Sequence, residues 1–175
     1  MEGWIVRLKD NREIELRLLT ADDRDRLLEF FSSLSDEALE WGMPPYTKER
    51  IDGWMSSLNR LIPLVAIDKE RIVGYAAIFK RVHQRMMGVG DMGIYLHQDY
   101  HGVGLGTLMT KKGLSMAREE GLHRIGLEVV EDNVAAVALY KNLGFMLEGK
   151  LIDAYFGADG KYHNMLVMGK ILRGE

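Results

Sequence analysis

"GIYLHQDYHGVGLGTLMTKKG", residues 93–113, passes from an apolar, β-rich run through polar turn residues into three glycines at alternate positions, and then into a helical pattern. Free backbone N–H groups and the positive end of a helix dipole meet at such a join, and both favour an anion, phosphate above all. Glycine lets the backbone come close and adopt positive φ. Three of them exceed what a turn needs, although a turn without a ligand is the competing reading. A Walker loop would require G-x-x-x-x-G-K-[ST], but Thr107 follows Gly106 directly and the next lysine is Lys111. A dinucleotide fingerprint would require G-x-G-x-x-G, whereas the spacing here is G-x-G-x-G, in mid-chain.

Working outward, "GVGDMGIYLH" before the loop predicts a strand, in which Gly90 and Gly93 suggest a bulge. The helix after the loop should stop at Gly121. "HRIGLEVVE" predicts the next strand, and Asn133 caps a helix, "NVAAVALYKNLG", ending at Gly144. The tail reads as two strands around an Asp159-Gly160 turn. Upstream, "REIELRLLT" alternates Ile14, Leu16 and Leu18 with charge, as a half-buried strand does. Thr20 and Asp23 form a capping-box pattern ahead of a helix carrying Leu27, Leu28, Phe31 and Leu34. A short helix is expected near Asp36 to Trp41, a break at Pro44 and Pro45, and a helix from Thr47 to about Leu58. "LIPLVAID" and "RIVGYAAIFKR" predict two strands joined near Asp68 to Glu70. The order β-α-α-β-β-β-α-β-α-β-β describes a mixed α/β sheet with helices on its faces.

The chain has 175 residues without repeats or a Pro/Ser-rich linker, so residues 1–175 are expected to form one domain. A net charge of -3 gives no general attraction to nucleic acid or anionic membrane, so neither is expected as a partner. "MEGWIVRLKD" has no apolar signal-peptide core, and no long apolar run suggests a membrane helix; a cytoplasmic location is expected. Cysteine is absent, which removes disulfides, thiolate metal ligands and a cysteine nucleophile. His97 and His101 lack a third ligand, and Met109 and Met116 suit core packing, so no metal site is expected.

"HGVGLG" followed by "NVAAVALYKNLGF" resembles the GCN5-related N-acetyltransferases (GNAT superfamily). Their phosphate loop, [Q/R]-x-x-G-x-[G/A], is matched by Gly104 and Gly106, with His101 at the Gln/Arg position. Their next motif, an Asn opening a helix with a Tyr ahead of "LGF", is matched by Asn133, Tyr140 and Leu143-Gly144-Phe145. The resemblance covers residues 12–172 and is most specific from Gly93 to Phe145. It implies a mixed, mostly antiparallel sheet of about seven strands, splayed between the fourth and fifth, with about four helices. It also implies acetyl coenzyme A as cosubstrate and an amine as acceptor. A neutral imidazole at His101 offers one donor where Arg or Gln offers several.

On that reading, backbone amides of His101, Gly102, Val103, Gly104, Leu105, Gly106 and Thr107 receive the diphosphate, Thr107 adding its hydroxyl. The edge of Ile94, Tyr95 and Leu96 receives the extended pantetheine arm as an added strand. The Leu96 N–H is placed to polarise the thioester carbonyl and hold the developing oxyanion. Asn133 caps its helix and can also bond the arm. Tyr140 lies two helical turns past Asn133 and, from the resemblance, is the acid that protonates the departing thiolate; a core aromatic is the alternative. An alkyl ammonium, with a pKa of about 10, needs a base. Glu128 is the first candidate, as in the ribosomal-protein acetyltransferases that "LEVVEDN" resembles, with Asp91 and His97 as alternatives. The acceptor is expected between the first helices and the last hairpin. Glu37, Glu40, Trp41, Met43 and Tyr46 are candidates on one side, and Tyr155, Phe156, Tyr162 and His163 on the other. Small amines such as polyamines or amino acids are slightly favoured, with a protein N-terminus or a non-catalytic coenzyme A sensor as rivals. A homodimer is compatible with such a domain.

Overall fold

The computed structural model describes residues 3–172. Eight strands form one sheet: β1 (Trp4–Arg7), β2 (Glu13–Leu18), β3 (Leu61–Asp68), β4 (Arg71–Lys80), β5 (Val89–Leu96), β6 (Arg124–Val130), β7 (Met146–Phe156) and β8 (Tyr162–Ile171). Five helices accompany them: α1 (Arg24–Ser33), α2 (Asp36–Leu39), α3 (Lys48–Met55), α4 (Leu105–Glu119) and α5 (Val134–Asn142). The strand order is β1-β2-β3-β4-β5-β6-β8-β7. Every neighbouring pair is antiparallel except β5 and β6.

Two counts differ from expectation. The eighth strand is β1, whose four residues pair with Glu13–Leu16, the first part of the strand read from "REIELRLLT". The fifth helix is the single turn α2, counted separately from α1 and α3. The split expected between the fourth and fifth strands therefore falls between β5 and β6.

That split has a simple cause. The parallel ladder joins only Val89–Arg124, Gly90–Ile125 and Asp91–Gly126, after which β6 stays with β8 as far as Val130–Met165. Beyond Asp91, one edge of β5 has no neighbouring strand. The expected bulge is absent: β5 keeps unbroken register with β4 from Gly90 to Leu96. Gly90 instead permits close packing, since a Cβ there would lie 2.7 Å from Ile78 Cγ2.

β3 and β4 are buried on both faces, hence their continuous apolar runs. Ile62, Leu64, Ala66, Ala76 and Ile78 pack towards Leu105, Met109 and Leu114 of α4. Val65, Ile67, Tyr75 and Ala77 pack towards Leu27, Phe30 and Phe31 of α1 and Ile51 of α3. Burial of these side chains at roughly 25 cal/mol per Å² of apolar area holds both helical layers to the sheet.

The start of α1 carries a charge that stability depends on. Asp23 is 2% exposed, takes two 2.7 Å hydrogen bonds from Arg17 and accepts from the Thr20 amide at 2.9 Å. The Arg17 guanidinium, opposed by burial and helped by Thr20, holds its carboxyl at about 2. The unfolded carboxyl titrates near 3.8. The stabilisation is therefore complete above about pH 4 and is lost as pH falls through 2. Asp23→Asn is expected to lose about 2 kcal/mol at neutral pH. In urea titrations, the gap to the unsubstituted protein should close between pH 4 and pH 2.

Candidate active site

The split opens into a cleft of about 460 Å³, lined by α2, β5, the glycine loop and α5. Its phosphate end comes from the turn before α4. Gly102 and Gly104 both hold positive φ, at 72° and 90°. Their left-handed backbone turns the chain into the helix while presenting amides outward. The N–H groups of residues 102–107 have no acceptor among the described residues. A row of unpaired amides at a helix start fits a diphosphate.

The middle of the cleft is the free edge of β5. The His97 amide bonds Val73 O on β4 at 2.9 Å. Antiparallel alternation therefore directs the Ile94 and Leu96 amides away from β4 and into the split. His101 turns its Nε2 back to the Leu96 carbonyl at 3.1 Å, rather than reaching over the loop.

Across the split, Asn133 caps α5 by accepting from the Ala136 amide at 3.2 Å. Tyr140, further along the same helix, is 6% exposed and lines the cleft. Its hydroxyl has no hydrogen-bond partner among the described residues, and burial pushes its pKa up to about 12. It therefore stays protonated at neutral pH and able to donate.

All the residues expected at the cofactor line this cleft except Val103, which packs against the core and accepts from Lys9 through its carbonyl. Ala135, Ala136 and Leu139 of α5, Tyr100 and Lys9 also line it, none of them singled out from the sequence. Lys9 follows β1 in its hairpin with β2, where the alternation of Trp4, Val6 and Leu8 ahead of Asp10-Asn11 is too short to mark a strand.

The three base candidates separate. Glu128 is exposed on β6 and outside the cleft lining. Alternation turns it from the Leu127 and Val129 side, which packs under α4 and α5, towards the face that carries α2. Asp91 is clamped by Arg81 at 2.7 and 3.1 Å at the closed end of the ladder. His97 is 7% exposed, touches Gln98 and accepts from the Asp99 amide, outside the cleft lining.

The two halves of the expected acceptor site meet. Glu37, Glu40 and Trp41 line the cleft. Trp41 meets the His163 ring edge-on at 5.2 Å, and Tyr155 donates to Gly42 O at 2.7 Å. His163 sits between Asp132 at 2.6 Å and Asp159 at 3.0 Å, and Asp132 first, then Asp159, raises its pKa. Met43 is exposed, and Tyr46 stacks on Phe31 at 4.5 Å, beneath the site rather than in it. Phe156 and Tyr162 face each other on the exposed part of the hairpin. Among the described residues, no group of three or more His, Cys, Asp or Glu is placed to hold a metal. No helix there is long and apolar enough to cross a membrane.

Comparison with known proteins agrees with this geometry. The chain is 28% identical over 103 residues to N-alpha-acetyltransferase 30 of Schizosaccharomyces pombe, covering 58% of this chain and 69% of that protein. It is 30% identical over 115 residues to the L-methionine sulfoximine/L-methionine sulfone acetyltransferase of Pseudomonas aeruginosa PAO1, covering 63% and 67%. The structure of yncA from Salmonella typhimurium with its cofactor acetyl-CoA superposes with a TM-score of 0.80 at 18% identity, covering 94% and 96%. The acetyltransferase (GNAT) family matches residues 26–145, and with its loop, split sheet and helix in place the chain belongs to that family of acetyl-coenzyme-A-dependent N-acetyltransferases.

Proposed function

We propose that the protein transfers an acetyl group to a small primary amine by direct attack, with both substrates held in the one cleft, and that residues 1–175 act as one catalytic domain. The observation carrying this is that a row of unpaired amides, the free edge of β5 and an unpartnered Tyr140 hydroxyl line the same opening. Acetyl coenzyme A supplies the thioester. The amides of residues 102–107 take its diphosphate, and Ile94 to Leu96 pair with the pantetheine arm. The Leu96 N–H polarises the carbonyl, and Asn133 steadies the arm. Tyr140 hands its proton to the sulfur. Glu128, on the face carrying α2, takes a proton from the ammonium through water. With no cysteine in the chain, no acyl-cysteine forms.

Two features favour a small acceptor. The Tyr155 hydroxyl ties the hairpin to the carbonyls of Glu40 and Gly42, narrowing the entrance. Glu37 and Glu40 bring carboxylates to that end, suited to an ammonium beside the Trp41 ring. A second reading, a protein N-terminus as acceptor, is favoured by the similarity to the fission-yeast protein. A thiol-release screen separates them. Diamines and polyamines are expected to exceed α-amino acids and N-terminal peptides by about tenfold or more in kcat/KM, as one desolvated charge contact allows. A preference for peptides would replace this reading by the second. Binding of acetyl coenzyme A without turnover on any amine would point to a sensor.

A further inference from the structure

We propose that Lys9, in the turn joining β1 to β2, is a phosphate-binding residue for the acyl donor, supplying the cation that His101 does not. The inference rests on the proposed donor site described above, but Lys9 itself lies outside the family match at 26–145.

The hairpin turn is fastened to the glycine loop. The Lys9 amide donates to Val103 O at 3.0 Å, and Arg12 donates to Asp99 O at 2.9 Å while stacking over the Tyr100 ring. The Lys9 stem lies along Gly104, where an added Cβ would find Lys9 Cγ and Cε at 3.6 Å. Those distances are ordinary van der Waals contact, so the stem rests directly on the loop. The neighbouring cations of the hairpin are paired: Arg7 with Glu13, and Arg12 with Asp10. Lys9 has no carboxylate partner among the described residues. Among the described residues it is also the only lysine or arginine lining the cleft, and it lies against the loop whose amides are unpaired. Glu37 and Glu40 are the carboxylates that line the cleft, and they come from α2 and the residue after it rather than from the loop. A mobile ammonium over a loop of free amides recognises phosphate oxygens. Acetyl coenzyme A offers two sources, its diphosphate and its 3′-phosphate.

Calorimetry with acetyl coenzyme A and with its 3′-dephospho form tests this. Lys9→Met keeps the stem on Gly104 and removes the charge. It is expected to weaken acetyl coenzyme A about five- to tenfold and to flatten the salt dependence of binding, while Lys9→Arg stays within about twofold. In turnover the change should appear in KM for the donor and leave kcat unaltered. If the loss persists with the dephospho compound, the diphosphate is the partner; if it vanishes there, the 3′-phosphate is. Wild-type affinity and salt dependence in Lys9→Met would mean that the stem only packs, and would overturn this inference alone. No saturable binding by the unsubstituted protein would overturn the donor reading and this one with it.

Discussion

Tyr140→Phe is expected to lower kcat about 100-fold, the lower range for loss of a general acid, while leaving acetyl coenzyme A affinity within about twofold. The substitution removes one oxygen and little else. The ring keeps its edge-on packing against Phe145 at 5.5 Å, so α5 and its cap at Asn133 stay in place. The hydroxyl has no partner among the described residues to abandon, so its loss leaves no orphaned group there and costs little stability. A core aromatic would behave in the opposite way, affecting folding and not turnover. Single-turnover measurement makes the test cleaner, because it isolates the step in which sulfur leaves. The pH profile adds a second readout. With a pKa of about 12, the phenol is protonated across the neutral range, so it should contribute no alkaline limb below about pH 10. Equal rates for the Phe variant and the unsubstituted protein would make Tyr140 structural, and the proton would have to reach the sulfur from water.

Most of this site was legible because its signals are local. The glycines, the Asn133 cap and Tyr140 lie within two short stretches, and a helix start or a cap needs only its own neighbours. The alternation in "REIELRLLT" and the apolar runs at residues 61–68 and 71–80 likewise place strands without tertiary information. What escaped depends on partners distant in sequence. A bulge was expected at Gly90 and Gly93, but β5 runs unbroken, and the sheet opens because β6 leaves it for β8, a pairing that no local pattern encodes. Asp91 and His97 looked like free titratable groups, and only the fold shows that Arg81 and Gln98 engage them. Glu128 was placed on the right strand, but period-2 alternation gives its face and not its reach. Lys9 was missed because β1 has four residues at the sheet edge, with three of them exposed, too short for periodicity to register.

Gly104→Val is expected to weaken acetyl coenzyme A binding by about 100-fold or more while the protein still folds, the loss of two charge-assisted bonds at about 1.5–3 kcal/mol each. Gly104 sits at φ 90°, a conformation in which a β-branched residue is strained. Valine relieves the strain by rotating that peptide, and the amides on either side then turn from the cleft. The cost is concentrated on the ligand because these amides have no acceptor among the described residues. Gly121 provides the control. It too holds positive φ, at 79°, and a Cβ there meets nothing within 4 Å. It closes the far end of α4, away from the cleft. Gly121→Val should therefore lose about 1–2 kcal/mol of stability by urea titration and bind acetyl coenzyme A normally. Equal binding losses in the two variants would mean that strain anywhere along α4 disturbs the cleft. Normal binding by Gly104→Val would show that the diphosphate lies elsewhere.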